Sequence, residues 1–287
     1  MSEIRPRRSV LYMPGSNARA LDKARAIAAD ALILDLEDAV APDAKDLARR
    51  QVGEAVQARG FGMREVVIRI NGLATPWGEA DLAAAVAAGP DAILVPKVST
   101  TNDLDLVEER LGGARVALWA MVETPLAILN IAELAGWRRG LVCFVMGTND
   151  LIKELRGDHT PDRANLSAAL GLSVAAARAH GLAAIDGVFN DIQDTDGFIH
   201  QCRQAKSFGF DGKTLIHPSQ VEPCNAIFAP SPQEVVAARQ LIAAFDLPEN
   251  RAKGAIKLDG RMVELLHAEI ARRVVATADA IAALEKN

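Results

Sequence analysis

Along the chain, short runs of apolar and β-branched residues alternate with longer stretches in which Ala, Leu and Val recur at helical spacing. The short runs fall at 9–13, 31–36, 65–70, 92–96, 117–122, 141–146, 183–188 and 213–217, each bounded by polar residues, Gly or Pro in the manner of buried strands. Between them, segments such as 18–29, 44–59 and 81–88 carry apolar residues on one helical face. Eight strand–helix alternations predict an α/β protein with a parallel sheet closed as a (β/α)8 barrel of the TIM type, over residues 1–228. The rival architecture, an open doubly wound sheet, requires a G-x-G-x-x-G turn after its first strand, and the sequence has none there. After residue 228 the rhythm changes, and residues 229–287 are expected to form a C-terminal helical extension of two helices. The last of these, expected over 260–283, carries Met262, Val263, Leu265 and Leu266. That face is more apolar than a solvated helix needs, and it suits packing against a neighbouring subunit.

Composition narrows the functions available. The chain has 287 residues, half of them hydrophobic, which is enough for one large core. A net charge of -5 with 4% aromatic residues offers little to neutralise phosphates or stack on bases, so no nucleic acid is expected as a partner. No apolar run approaches the roughly 18 residues of a membrane span, and the first residues combine charge with no apolar stretch, so neither membrane nor export is expected. The three cysteines, Cys143, Cys202 and Cys224, are scattered and odd in number. They suggest neither a disulfide framework nor a zinc site, and the expected compartment is the cytoplasm.

In a (β/α)8 barrel the loops after the strand C-termini build the active site. Polar residues stand at most of those ends: Asp35, Glu37 and Asp38 after strand two, Arg69 and Asn71 after strand three, Lys97 after strand four, Glu123 after strand five, Asp150 after strand six, Asp186 at strand seven and His217 after strand eight. All are expected to face one mouth. Several carboxylates on one rim repel one another unless a cation sits among them, and a hard divalent ion with oxygen ligands answers that need. Glu123 and Asp150 are the pair assigned to Mg2+, with the substrate completing the shell. Singly, such acids also serve as helix caps.

Arg69, set in an apolar strand, is a candidate substrate anchor through its planar fork; the alternative is a structural salt bridge with Glu37 or Asp38. Lys97 is a candidate substrate-binding residue, and it also admits a Schiff-base reading, ranked below the metal. His217 is a candidate for substrate binding or for holding a neighbouring carboxylate, and equally a structural histidine. The turn at Pro14-Gly15-Ser16-Asn17 presents backbone amides for a phosphate or, more simply, caps a helix. Met121 and Met146 read as packing.

Taken together, RRSVLYMPGSN, LILDLEDAVAPDAK, VIRING, VPKV, MVETPLAIL, VMGTNDL, GFDGKTLIHPSQV and KLDGRMVE resemble the citrate lyase beta-subunit-like group of the HpcH/HpaI aldolase superfamily, which includes malyl-CoA and citramalyl-CoA lyases. The resemblance runs from about residue 7 to about residue 276. It implies a modified (β/α)8 barrel assembled as a homotrimer or homohexamer, with Mg2+ on Glu123 and Asp150, substrate contact by Arg69, and Glu37 and Asp38 supporting the metal's water shell. It places coenzyme A contacts on Tyr12 and Lys23, while Asn17 stands where some malyl-CoA lyases have Arg.

The family's acid–base aspartate, in a G-x-M-[IV]-D motif delivered into a neighbouring subunit's site, corresponds here to Glu264 of Gly260-Arg261-Met262-Val263-Glu264. That carboxylate reaches one methylene further. The implied activity is Mg2+-dependent carbon–carbon cleavage, or formation, of a 3-hydroxy-3-carboxyacyl thioester such as malyl-CoA or citramalyl-CoA, giving an acyl-CoA and a 2-oxo acid. The alternatives are a citrate lyase beta subunit acting on a citryl thioester of an acyl carrier protein, a malyl-CoA thioesterase, and a non-catalytic acyl-CoA-binding subunit.

Overall fold

The computed structural model describes residues 4–137, 139–251, 253–258 and 260–286. Its strands β1 (Ser9–Pro14), β2 (Ala31–Asp35), β3 (Glu65–Arg69), β4 (Ala92–Val95), β5 (Ala117–Val122), β6 (Leu141–Met146), β7 (Ala183–Asp186) and β8 (Gly212–Leu215) are all parallel. They pair in sequence order, and β8 returns to β1 to close the barrel, as expected. Around them run α1 (Ala18–Lys23), α2 (Lys45–Ala58), α3 (Gly78–Ala88), α4 (Thr101–Leu111), α5 (Pro125–Leu129), α6 (Ile131–Gly136), α7 (Thr148–Leu155), α8 (Ser167–His180), α9 (Thr195–Phe208) and α10 (Val221–Phe228).

Local chemistry sets the ends of these elements. Thr100 and Asp103 cap α4 reciprocally, while Gly181 (φ +73°) and Gly209 (φ +97°) close α8 and α9 in the left-handed region that a side chain would resist. The first helix is shorter than its hydrophobic spacing suggests. Lys23 ends it, and a 3-10 turn over Ala24–Ala26 follows. The Arg64 guanidinium binds the carbonyls of Ala24 (2.9 Å) and Ile27 (2.6 Å), removing acceptors that a longer helix would use.

Strand residues alternate between the barrel interior and its helical jacket. The interior is packed by Val10, Ala31, Ile33, Val67, Ala92, Leu94, Trp119, Met121, Cys143, Val145 and Ile185. One step further along the same parity stand Tyr12, Asp35, Arg69, Glu123 and Gly147. The positions that fill the core lower down therefore carry the polar groups at the C-terminal mouth, and no separate insertion is needed to bring them together.

Arg7–Ala226 forms one compact unit, and Met1–Pro6 with Ile227–Asn287 forms the other, so the boundary expected at 228 lies within α10. The second unit contains α11 (Pro232–Asp246), the antiparallel hairpin β9 (Ala255–Leu258) and β10 (Arg261–Glu264), and α12 (Leu265–Leu284). The hairpin corrects the expectation of helices alone. Met262 and Val263 lie on β10 opposite Lys257 and Ile256, and the last helix begins at Leu265. Asp-Gly between two short alternating runs is a hairpin signal, masked by the helical spacing that follows it. Phe245, Ile256 and Ala268 form this unit's core, while Met262, Leu265, Leu266 and Ile270 remain exposed.

Candidate active site

At the C-terminal end of the barrel interior lies a cavity of about 280 Å3, lined by Tyr12, Asp35, Asp38, Arg69, Glu123 and Asp150, with Met121 and Met146 among its apolar walls. Met121 and Met146 are thus more than packing. Their thioethers give the cavity a soft, polarisable surface.

Glu123 follows β5 and is 1% exposed. One oxygen, Oε1, accepts the backbone N–H of Lys97 at 2.7 Å, and the other, Oε2, is buried without a hydrogen-bond partner. Burial first, then repulsion from Glu37, push this carboxyl up to about 7. The close approach of the next strand keeps it in place. A Cβ at Gly147 would overlap the Cβ and Oε2 of Glu123. Asp150 lines the same cavity, half-buried in the first turn of α7.

The two acids expected to share a cation therefore do share a cavity. An orphan buried carboxylate oxygen beside a second carboxylate suits a hard divalent ion, because an unpaired buried anion is costly. Among the described residues no group of three or more His, Cys, Asp or Glu side chains could hold a metal. A cation here would accordingly draw its remaining ligands from water and substrate, the habit of Mg2+.

Arg69 is 7% exposed. Its Nε and Nη2 each donate to Asp35 at 2.6 Å, so the planar fork is spent inside the protein. Nη1 remains, 2.8 Å from Glu37 Oε2, 3.6 Å from Asp38 and 3.7 Å from the Met121 sulfur. The guanidinium stacks over Tyr12 at 4.8 Å. The salt-bridge alternative therefore holds, with Asp35 as the unforeseen partner of the fork and Glu37 beside Nη1, the nitrogen not committed to Asp35. Desolvation raises the Glu37 carboxyl, and the charges of Arg69 and Lys97 only partly oppose it. Lys97 Nζ lies 3.2 Å from Glu37 Oε1, and the lysine backbone sits at φ +53°, a left-handed conformation costing about 1–2 kcal/mol for a residue with a Cβ.

Not every strand-end residue faces this mouth. Asp186 is fully buried, clasped by Arg163 Nη1 at 2.7 Å and Lys213 Nζ at 2.7 Å, and corrects the expectation that it joins the site. Asn71 is buried outside the cavity lining and donates to Leu36 O (2.7 Å) and Asp81 (2.6 Å). His217 is exposed, its Nδ1 2.7 Å from the Ser219 hydroxyl, and does not line the cavity. Lys23 is exposed at the end of α1 and stands outside the cavity lining, whereas Tyr12 lies within it. Asn17 caps α1 by accepting from Ala20 N–H at 3.1 Å, and the Gly15 amide donates to Asp35 O at 2.9 Å, so the turn is used structurally.

Glu264 ends β10, exposed, and its N–H donates to His267 Nδ1 at 3.0 Å. Arg163, in the segment between α7 and α8, is buried and donates to Asp186. Sequence reasoning missed Lys45, which is buried on α2 and donates to Leu36 O (2.8 Å), Glu37 O (2.7 Å) and Asn71 Oδ1 (2.9 Å), tying down the loop that carries Glu37 and Asp38. A charged residue at an apolar helix position was the available signal.

The profile of the HpcH/HpaI aldolase/citrate lyase family matches residues 8–218. The chain is 50% identical over 281 residues to a (3S)-malyl-CoA thioesterase of Cereibacter sphaeroides, covering 98% of each. It is 35% identical over 286 residues to the citrate lyase subunit beta of Escherichia coli, covering 96% of this chain and 95% of that one. Among solved structures it resembles protein CitE of Mycobacterium tuberculosis in complex with magnesium, acetoacetate and coenzyme A, at 30% identity and a TM-score of 0.75, covering 93% of this chain and 97% of that one. A barrel whose inward parity ends in an acid-lined cavity, matched along nearly its whole length by these proteins, belongs to the HpcH/HpaI aldolase/citrate lyase family.

Proposed function

We propose that this chain is a Mg2+-dependent acyl-CoA enzyme that hydrolyses (3S)-malyl-CoA to malate and coenzyme A. The observation that carries the reading is the orphan oxygen of Glu123, sharing with Asp150 and Arg69 a cavity whose size suits a four-carbon hydroxy acid rather than a whole coenzyme. Half-identity along 98% of both chains to a (3S)-malyl-CoA thioesterase favours hydrolysis as the outcome. Glu123 and Asp150 would hold Mg2+, which would supply Lewis acidity toward the acid's oxygens.

The chain's own residues do the rest. Arg69 Nη1 orients the ligand carboxylate through one charge-assisted hydrogen bond. Glu37 and Asp38 hold ordered water beside it. Met121 and Met146 exclude bulk solvent from the far wall. The reading includes a homotrimer or homohexamer in which the apolar residues Met262, Leu265 and Leu266 are covered and Glu264 of a neighbouring copy moves the proton. Glu264→Gln is then expected to lower kcat by about 100-fold with KM little changed, and Glu264→Asp to retain most of the rate.

A second reading, cleavage of malyl-CoA to acetyl-CoA and glyoxylate, is supported by family membership and by the acetoacetate held in the related solved structure. The citrate lyase relative adds an acyl carrier protein as an alternative carrier of the thioester. Products of purified protein incubated with (3S)-malyl-CoA and Mg2+ separate these readings. Free malate with coenzyme A supports hydrolysis, and glyoxylate with acetyl-CoA supports cleavage. No turnover with any divalent ion would sink both.

A further inference from the structure

We propose that Lys97 is a positioning residue with two separate tasks, its backbone amide orienting Glu123 and its ammonium orienting Glu37. This role rests on the function proposed above and deepens it. Three observations meet at this one residue. Its N–H donates to Glu123 Oε1 at 2.7 Å, its Nζ lies 3.2 Å from Glu37 Oε1, and its backbone is held at φ +53°. Each carboxylate is therefore gripped by one oxygen. For Glu123 the ungripped oxygen is the buried, unpartnered one that belongs to the cavity. For Glu37 it is likewise buried without a hydrogen bond, 2.8 Å from Arg69 Nη1, the one guanidinium nitrogen not committed to Asp35.

The left-handed backbone is what turns the amide toward β5. Glycine would adopt it freely, so the lysine is a strained choice that the amide alone does not explain. The second task does explain it: a cation is needed between Glu37 and Glu123, and no residue without a long cationic side chain could fill this turn and reach Glu37. The same grip argues against the Schiff-base role considered from the sequence. An ammonium held by a carboxylate is poorly placed to attack a carbonyl.

The two tasks come apart in Lys97→Gly and Lys97→Met. Both remove the ammonium and keep the amide, and only Lys97→Gly relieves the backbone. Mn2+ titration followed by electron paramagnetic resonance should give an affinity within about threefold of the parent's in both variants, since Glu123 stays oriented. Lys97→Gly should melt above Lys97→Met. With (3S)-malyl-CoA, kcat should fall at least about tenfold while KM changes less than about threefold, and in a Glu37→Gln background the same Lys97→Met change should have little further effect. Lys97→Arg, which keeps a cation, should recover part of the rate and serves if the other two variants fold poorly.

The proposal is overturned by a rise in KM at constant kcat, which would make the ammonium a substrate ligand. It is overturned equally by borohydride trapping of a 2-oxo acid on Lys97, by more than about tenfold loss of Mn2+ affinity in both variants, or by Lys97→Gly melting below Lys97→Met. If the parent itself turns over no malyl-CoA, the function reading fails, while metal affinity and melting order still decide the role of Lys97.

Discussion

Two strand-end aspartates, Asp35 on β2 and Asp186 on β7, are both fully buried and both paired with an arginine, yet of the two Asp35 alone lines the cavity. Around Asp186 the carboxylate itself is fully paired, although Arg163 Nη2 is buried without a hydrogen bond. Arg163 and Lys213 both reach it, Lys213 also donates to the Gly187 carbonyl, and Arg163 Nε donates to Gln204 at 2.8 Å. Around Asp35 acids outnumber cations: Asp38, Glu123 and Asp150 line the cavity with Arg69, Glu37 pairs with Arg69 and Lys97 outside its lining, and Glu123 and Glu37 each keep a buried oxygen without a hydrogen bond. The contrast teaches that buried charge on a barrel rim is not itself a sign of function. What distinguishes the site is charge left uncompensated toward a cavity.

The largest test removes that surplus. Glu123→Ala should lower turnover by about 1,000-fold and abolish Mn2+ binding in titrations, while thermal stability holds or rises because an unpaired buried carboxylate is gone. Asp186→Asn should do the reverse, costing about 3–5 kcal/mol in urea unfolding by stranding two buried cations, with Mn2+ affinity nearly unchanged. If the stability losses are equal, the two clusters are not different in kind. Gly147→Ala forces a Cβ into Glu123 and should reduce turnover by about 10- to 100-fold, with a smaller loss of melting temperature than Asp186→Asn gives.

The smallest expected effect is a difference in sign with pH. Burial opposes ionisation of Asp186, but Lys213 and then Arg163 outweigh it and hold the carboxyl below its ordinary value. Its contribution is complete above the ordinary carboxylate pKa and is lost as pH falls toward the depressed folded value. Glu123, raised to about 7 in the metal-free protein, behaves oppositely. It withdraws stability as pH rises from the ordinary carboxylate range to about 7, and Mn2+ affinity should weaken by about tenfold per pH unit below that point. Unfolding free energies of the parent, Asp186→Asn and Glu123→Gln between pH 3 and 8 would show both slopes, and a parent curve flat between pH 5 and 7 beside an identical Glu123→Gln curve would remove the distinction.

The barrel was legible because strand spacing is local: the eight apolar runs matched β1 to β8 to within about two residues at their ends. Glu123, Asp150 and Arg69 were legible as strand-end polar groups. Sequence position alone did not say which way a side chain turns. Asp186, Asn71 and His217 share that position and point elsewhere; the partners that decide it for Asp186 and Asn71, Lys213 and Asp81, obey no spacing rule with respect to the strand ends, and His217 turns to the nearby Ser219. The interior parity would have helped. Val67 and Arg69, or Trp119, Met121 and Glu123, lie on one face of their strands, and counting by two from the core leads directly to the cavity. The hairpin of the C-terminal unit was missed because four-residue strands are too short to outweigh the helical pattern that follows.

Met121 belongs both to the packed barrel interior and to the cavity wall, so one side chain serves the plug and the cup alike. Enlarging the cup for a bulkier acyl group by trimming this residue would draw down the fold's own cohesion, roughly 2–5 kcal/mol for a methionine cut to alanine. Appetite for larger acids and endurance of the scaffold are therefore coupled variables in this protein, and selection for one must be read against the other.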